Sequence, residues 1–322
     1  MRRIPADDCS TPQNAPRRQA FTLIELMIVI VVIAILMSLV LPAVQSSFVR
    51  AKVTEVVSEI RGLEAAIAQF KNVYGIEPPS RIRLYEASTG SPSWLSDTRP
   101  NFTEPITGTS ISQDSERIRS IALINRIWPN FNFTAPLGDV NGNGSSTDVI
   151  SLTGAECLVF FLGGRPVAGP GGAYAMTGFS KNPANPFAAA TGNESREGPY
   201  FEFKPSRLRL SPNTTNVGVL VYVDAIGGQA NPYVYVTGYD GRGYQRADLY
   251  VGTGDDLGDV YRSGTGTTAV ALKPKSFQII SPGADGLYGA GGYFDATATG
   301  HGITNAPDRD NISNFHGGLL KD

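Results

Sequence analysis

Between residues 26 and 41 the only polar side chain is Ser38, and across residues 21–44 the only charge is Glu25. As a helix rising ~1.5 Å per residue, this stretch is long enough to cross a hydrocarbon core of ~30 Å. A carboxylate in such a helix costs up to roughly 2.5–3.5 kcal/mol on insertion scales, so Glu25 reads as functional. Beyond residue 44 the pattern changes. Val53, Val56, Ile60, Leu63, Ile67, Phe70 and Tyr74 recur at alternating spacings of three and four. Lys52, Glu55, Glu59, Arg61, Glu64 and Lys71 lie off that seam. The spacing predicts one apolar face on a helix that continues the first span to about Tyr74. Gly75 is placed to end it and Pro78-Pro79 to prevent its extension. Such a helix would be ~80 Å long, with Pro42, which lacks an amide hydrogen, bending it.

Residues 80–216 lose this regularity. They are rich in Ser, Thr, Asn, Gly and Pro, punctuated by Trp94, Phe102, Trp128, Phe131 and Phe133. Two helices are expected there. One starts from a cap at Asp114 or Ser115 and ends near Trp128-Pro129; the other covers residues 154–162, closed by Gly163-Gly164. From residue 217 β-rich runs return at 217–223, 233–237 and 277–281, with residues 224–228 connecting the first two. Three antiparallel strands packed on the amphipathic part of the helix give an α+β head, with 80–216 as a large insertion.

Composition sharpens this picture. Charged residues are 17% of the 322, while Gly numbers 36 and Pro 22, so turns are frequent. The net charge of −2 divides into a basic stretch at residues 1–20, with Arg2, Arg3, Arg17 and Arg18, and an acidic remainder. A basic leader before an apolar span favours a cytoplasmic N-terminus with the rest outside. No dense Lys/Arg patch follows, which argues against nucleic-acid binding. The span exceeds the usual h-region of ~7–15 residues and no A-x-A site follows, unlike an ordinary secretory signal. Ala6-Asp7-Asp8 before Cys9 does not suit a lipoprotein cleavage site. With the leader removed, Cys157 is the one cysteine left, and no internal disulfide is possible. It lies in an apolar run with no nearby His and reads as a small core residue. The two histidines, His301 and His316, fall in a Gly-rich tail expected to be flexible. No nucleophile elbow, H-E-x-x-H pair or Ser/Lys dyad appears, so no catalytic residue is assigned and the chain is not expected to be an enzyme.

The run Ala20-Phe21-Thr22-Leu23-Ile24-Glu25, the following apolar span, Pro42 and the helix ending Phe70-Lys71-Asn72-Val73-Tyr74 resemble the type IV pilins and type II secretion pseudopilins. The likeness is strongest to the major pseudopilin. One departure is Ala20, where the family usually has Gly before the cut. The resemblance implies a pilin-like fold with a cleaved leader at 1–20, a transmembrane half at 21–44, an amphipathic half and exit turn at 45–79, the insertion at 80–216, and a β-rich head at 217–322. It implies cleavage between Ala20 and Phe21 by a prepilin peptidase that also methylates the new amine. It implies that Glu25 neutralises that amine on a neighbouring subunit during assembly. The implied partners are other pilin or pseudopilin subunits, the inner membrane and a secretion assembly platform. The implied location is the bacterial inner membrane, single-pass, with the head periplasmic or extracellular. Two other readings stand beside the pseudopilin: a minor subunit of a type IV pilus, and a pilin-anchored surface adhesin or glycan-binding protein.

Hard cations such as Ca²⁺ need oxygen ligands converged by tight turns. The stretch from Ser281 through Gly283, Asp285, Gly286 and Gly289, with Asp308 and Asp310 downstream, is such a candidate. The order Asp224, Gly227-Gly228, Pro232-Tyr233-Val234-Tyr235 resembles the family's Asp-Pro-Trp-Gly…Pro-Tyr strand pair, with the Pro and Trp absent, and the Ser-x-Gly-Ala-Asp-Gly loop resembles the structural Ca²⁺ loop of the major pseudopilin. That implies Ca²⁺ on Asp285, opposed by Asp308 or Asp310, with Ser281 nearby. The competing reading is an ordinary turn in which Asp285 caps its own loop. Asp139, Asn141 and Asn143 also carry the 1-3-5 spacing of an EF-hand start, but Ile150 occupies the position of its bidentate Glu. The run 252–259 is a weaker loop of the same kind.

Overall fold

The computed structural model describes residues 22–103, 108–192, 194–213, 218–226, 228 and 231–321, with only the backbone for Ala43, Ser46 and Phe102. The chain divides into two compact units at Arg50/Ala51. One helix, α1 (Leu23–Tyr74), carries both halves of the hydrophobic pattern and contains Pro42. It is the one helix among the described residues long and apolar enough to cross a membrane. In the first unit its described apolar side chains are exposed, from Leu23 to Val49. It ends as its sequence predicts. The Gly75 amide donates to the Lys71 carbonyl at 2.8 Å, with Gly75 at φ +76°.

The second unit, residues 51–322, is α+β. Val56, Leu63, Ile67 and Phe70 are fully buried and Ile60 nearly so, which places the three-four seam in the core. Strand β1 (Ile82–Tyr85) pairs antiparallel with β2 (Val149–Leu152), Ile82 opposite Leu152. Between them runs α2 (Gln113–Ile127), whose cap is Ser112, earlier in the chain than Asp114 or Ser115. The Ser112 hydroxyl accepts from the Ser115 amide, and its extended backbone makes the turn into the helix. Helix α3 (Gly154–Gly163) follows β2 and is buried along its whole length. The Glu156 carboxylate takes the Thr153 amide at 2.9 Å and the Ser211 hydroxyl at 2.6 Å, so a buried acid caps the helix start.

The main sheet has order β5–β6–β7, from β5 (Val234–Thr237), β6 (Phe277–Ser281) and β7 (Ile312–Ser313). Val234 faces Ile280, and Ile280 in turn faces Ser313. The run 217–223, expected as the third strand of this sheet, supplies β4 (Leu220–Tyr222), which pairs with β3 (Leu208–Leu210). The reason is local. The Asp224 carboxylate takes the Ile226 amide at 2.9 Å and turns the chain, and Pro232 has no amide hydrogen to carry the ladder onward. Among the described residues, an antiparallel bridge, Val223 to Pro232, and the Tyr233 amide on the Tyr222 carbonyl join the two sheets there.

β5 is buried on both faces, which explains its unbroken apolar run. Tyr235 joins a cluster with Phe70, Leu84, Ile124, Leu158 and Ile279, so residues from 80–216 share one core with α1 and the main sheet. Val234 and Val236 join a second cluster with Leu249, Tyr261, Ile280 and Tyr288. α3 sits hard against the strand: a Cβ on Gly154 would lie 2.0 Å from the Tyr235 carbonyl oxygen. Cys157 is fully buried, and burial pushes its thiol well above the ordinary range, as a core residue requires. The Gly-rich tail is packed rather than loose. The rings of His301 and His316 lie 4.8 Å apart beside Phe294, and the His301 Nδ1 meets the Leu320 carbonyl at 2.8 Å.

Candidate functional site

Ala20 and Phe21, assigned to processing, lie outside the described residues. Thr22 and Glu25 are described, and they form a reciprocal cap at the start of α1. The Thr22 amide and hydroxyl both donate to Glu25 Oε2, at 2.9 and 2.8 Å. The Glu25 amide donates back to the Thr22 hydroxyl at 3.3 Å. This is the Thr-x-x-Glu capping box, which satisfies amides that a helix start otherwise leaves without partners. The sequence carried that signal in Thr22, a residue to which no role was given above. Among the described residues, then, the lone carboxylate of the apolar span has two donors, both from Thr22.

The amphipathic half of α1 has a second acidic centre, on Glu59. Its Oε2 accepts the Tyr233 hydroxyl at 2.6 Å, and its Oε1 accepts the Tyr222 hydroxyl at 3.0 Å and the Arg207 guanidinium. Arg207 also lies over the Tyr222 ring, 4.6 Å from its centroid. Burial, followed by the charge of Glu59, pushes both tyrosine hydroxyls upward, so they stay protonated donors. One turn on, Glu64 Oε1 takes Lys273 at 2.8 Å and Asn314 at 3.0 Å. The sequence placed Glu59 and Glu64 off the apolar seam. Their partners come from residues 207–314, which no local pattern could announce.

The candidate cation loop is assembled, with its residues in different roles. Asp310 Oδ2 accepts the amides of Ala284 and Asp285 at 2.6 and 2.9 Å, joining the two halves. Gly283 makes this approach possible, since a Cβ there would lie 2.2 Å from the Asp310 carbonyl oxygen. Asp285 Oδ1 caps its own turn through the Leu287 amide at 2.8 Å. Asp308 is turned away to the Tyr261 hydroxyl and the Ala290 and Gly291 amides. Ser281 is fully buried and donates to Asp224, whose carboxyl burial pushes up to about 6. Among the described residues no group of three or more His, Cys, Asp or Glu side chains is placed to hold a metal. Asp310 Oδ1 is buried with no hydrogen-bond partner among the described residues. Partial desolvation raises the Asp285 carboxyl, and the neighbouring charges of Asp310, Asp255 and Asp308 add to the rise.

With this geometry in place, comparison with known proteins places the N-terminal segment. Residues 15–41 match the prokaryotic N-terminal methylation motif. The type IV major pilin protein PilE of Neisseria gonorrhoeae is 38% identical over 74 residues, which are 23% of this chain and 44% of that protein. PilE1 of the same organism is 34% identical over 90 residues, 28% of this chain and 39% of that protein. The chain thus spans less than half the length of these relatives. No solved structure matches it.

Proposed function

We propose that this chain is a non-enzymatic filament subunit of the prepilin class, and within it a pseudopilin of a type II secretion system. The observation that carries the class is the Thr22–Glu25 cap at the start of a long apolar helix, inside the methylation-motif match at 15–41. In this reading a prepilin peptidase cuts between Ala20 and Phe21 and methylates the new amine. The segment 21–44 holds the subunit in the inner membrane until other subunits' helices replace the lipid. Glu25 then exchanges the Thr22 donors for the cationic amine of a neighbour, which keeps its charge compensated as the surroundings lose water. Mass spectrometry of the mature protein is expected to find N-methylated Phe21 as the first residue; any other N-terminus removes the processing step.

The pseudopilin assignment is supported by the Ser281 to Gly289 loop closed by Asp310. A type IV pilus subunit is the second reading, favoured by the similarity to two type IV major pilins. Deleting the gene separates them. Loss of secreted proteins with surface pili unchanged supports the first, and the reverse outcome supports the second.

Structural Ca²⁺ belongs to the same proposal, on Asp285 and Asp310 with backbone carbonyls completing the shell, a donor set that Ca²⁺ accepts. Saturating a cation site at about 100 times its Kd stabilises by ~2.7 kcal/mol, roughly 5–10 °C for a domain of this size class. Thermal melting of the full chain in detergent should rise by that order with Ca²⁺ and fall with chelator. Equal melting temperatures in both would remove the cation.

A further inference from the structure

Two Asn-Gly pairs, Asn141-Gly142 and Asn143-Gly144, adjoin in the loop that begins at Asp139. Asn followed by Gly is the pair in which the backbone most easily attacks a side chain, because glycine has no Cβ to restrict the approach. The glycine nitrogen bonds to the asparagine Cγ, the Cγ–Nδ2 bond breaks, and nitrogen leaves as ammonia with the glycine's amide proton. Water then opens the cyclic imide at either carbonyl, leaving aspartate or its β-linked isomer. Water is the sole co-reactant.

Both attacking nitrogens are held by one side chain. The Gly142 amide donates to Asp139 Oδ1 at 2.6 Å, and the Gly144 amide donates to Asp139 Oδ2 at 2.9 Å. The side-chain amides are turned past the glycines as well. Asn141 Oδ1 accepts the Asn143 amide at 3.2 Å, and Asn143 Oδ1 accepts the Ser145 amide at 2.8 Å. Asn143 Nδ2 donates to Asp148 Oδ2 at 2.6 Å. The loop is fastened from below by the buried Glu86, which takes the Val140 and Asp148 amides at 2.7 and 3.1 Å. Gly218 closes over it, since a Cβ there would lie 3.0 Å from the Asn141 carbonyl oxygen.

We propose that residues 139–148 are a latent deamidation site held closed by the Asp139 carboxylate. A negative charge against each glycine amide opposes the loss of its proton, and each hydrogen bond must break before the nitrogen can turn onto Cγ. Reaction at Asn143 would set a new carboxylate where Asp148 now receives a donor, and the two like charges would force the loop open. The first event would thereby release the second.

The test is peptide mass mapping of the purified full chain in detergent, aged in warm, mildly alkaline buffer, reading the amide-to-acid mass gain at both asparagines. The native wild type should react far more slowly than the same chain in urea. Asp139→Ala should react ~10-fold faster or more, the factor set by losing hydrogen bonds to a charged group. A wild type as reactive as the urea-unfolded chain, or a folded Asp139→Ala as slow as wild type, overturns the proposal. Should Asp139→Ala fail to fold by circular dichroism, Asp139→Asn keeps the shape with one acceptor oxygen. It should expose one asparagine and spare the other, and full protection of both would overturn the proposal.

Discussion

Glu25→Ala is expected to insert into the membrane as wild type does and to be absent from assembled filaments. Removing the one charge of residues 21–44 eases insertion. Assembly should fail because a cationic N-terminal amine would enter an apolar bundle without its partner. Breaking one side of a buried pair costs about 3–5 kcal/mol, enough to reduce incorporation by ~100-fold or more. Since Glu25 also caps α1 through Thr22, the alanine variant alone confounds charge with helix capping. Glu25→Gln resolves this, because Gln serves a capping box as well as Glu does but carries no charge. It should insert and still fail to assemble. Sheared-filament fractions and cross-linked multimers read both variants, and normal incorporation of Glu25→Gln would remove the charge from the assembly step.

The second large effect is expected at Glu59. Glu59→Ala leaves Arg207 and the hydroxyls of Tyr222 and Tyr233 without the carboxylate they share. Arg207 Nε and Nη1 already lack partners among the described residues, so its charge depends heavily on Glu59. A loss of about 3–5 kcal/mol is expected, a fall of roughly 10 °C in melting temperature. The double variant Glu59→Ala/Arg207→Ala should be more stable than additive losses predict, because no charge is then stranded. Thermal melts followed by near-ultraviolet circular dichroism supply the comparison. A shift of a degree or two in Glu59→Ala would show that water replaces the carboxylate and that this centre does little to hold α1 to residues 207–233.

The main helix was fully legible in the chain because each of its signals is local. The uncharged span, the three-four seam, Gly75 and the paired prolines act within a few residues of one another. The same holds for the apolar run of α3 and for Thr22 with Glu25, three residues apart. Strand partnership was not legible. Residues 217–223 have the composition of a central strand, yet β4 pairs with β3, because a buried Asp224 turns the chain and Pro232 cannot extend the ladder. Of the four cation candidates, the fold brings the Asp310 carboxylate onto the backbone of Asp285. Tyr261 and Asp224, distant in sequence, claimed Asp308 and Ser281. By itself, then, the sequence determined the long apolar helix, its buried seam and its C-terminal end, since hydrophobic length, helix period and capping are properties of neighbouring residues. The tertiary structure alone decided what lies against Glu59, which strand closes the sheet and which carboxylates face each other. Those depend on side chains that meet only when the core excludes water and every buried polar group must find a partner.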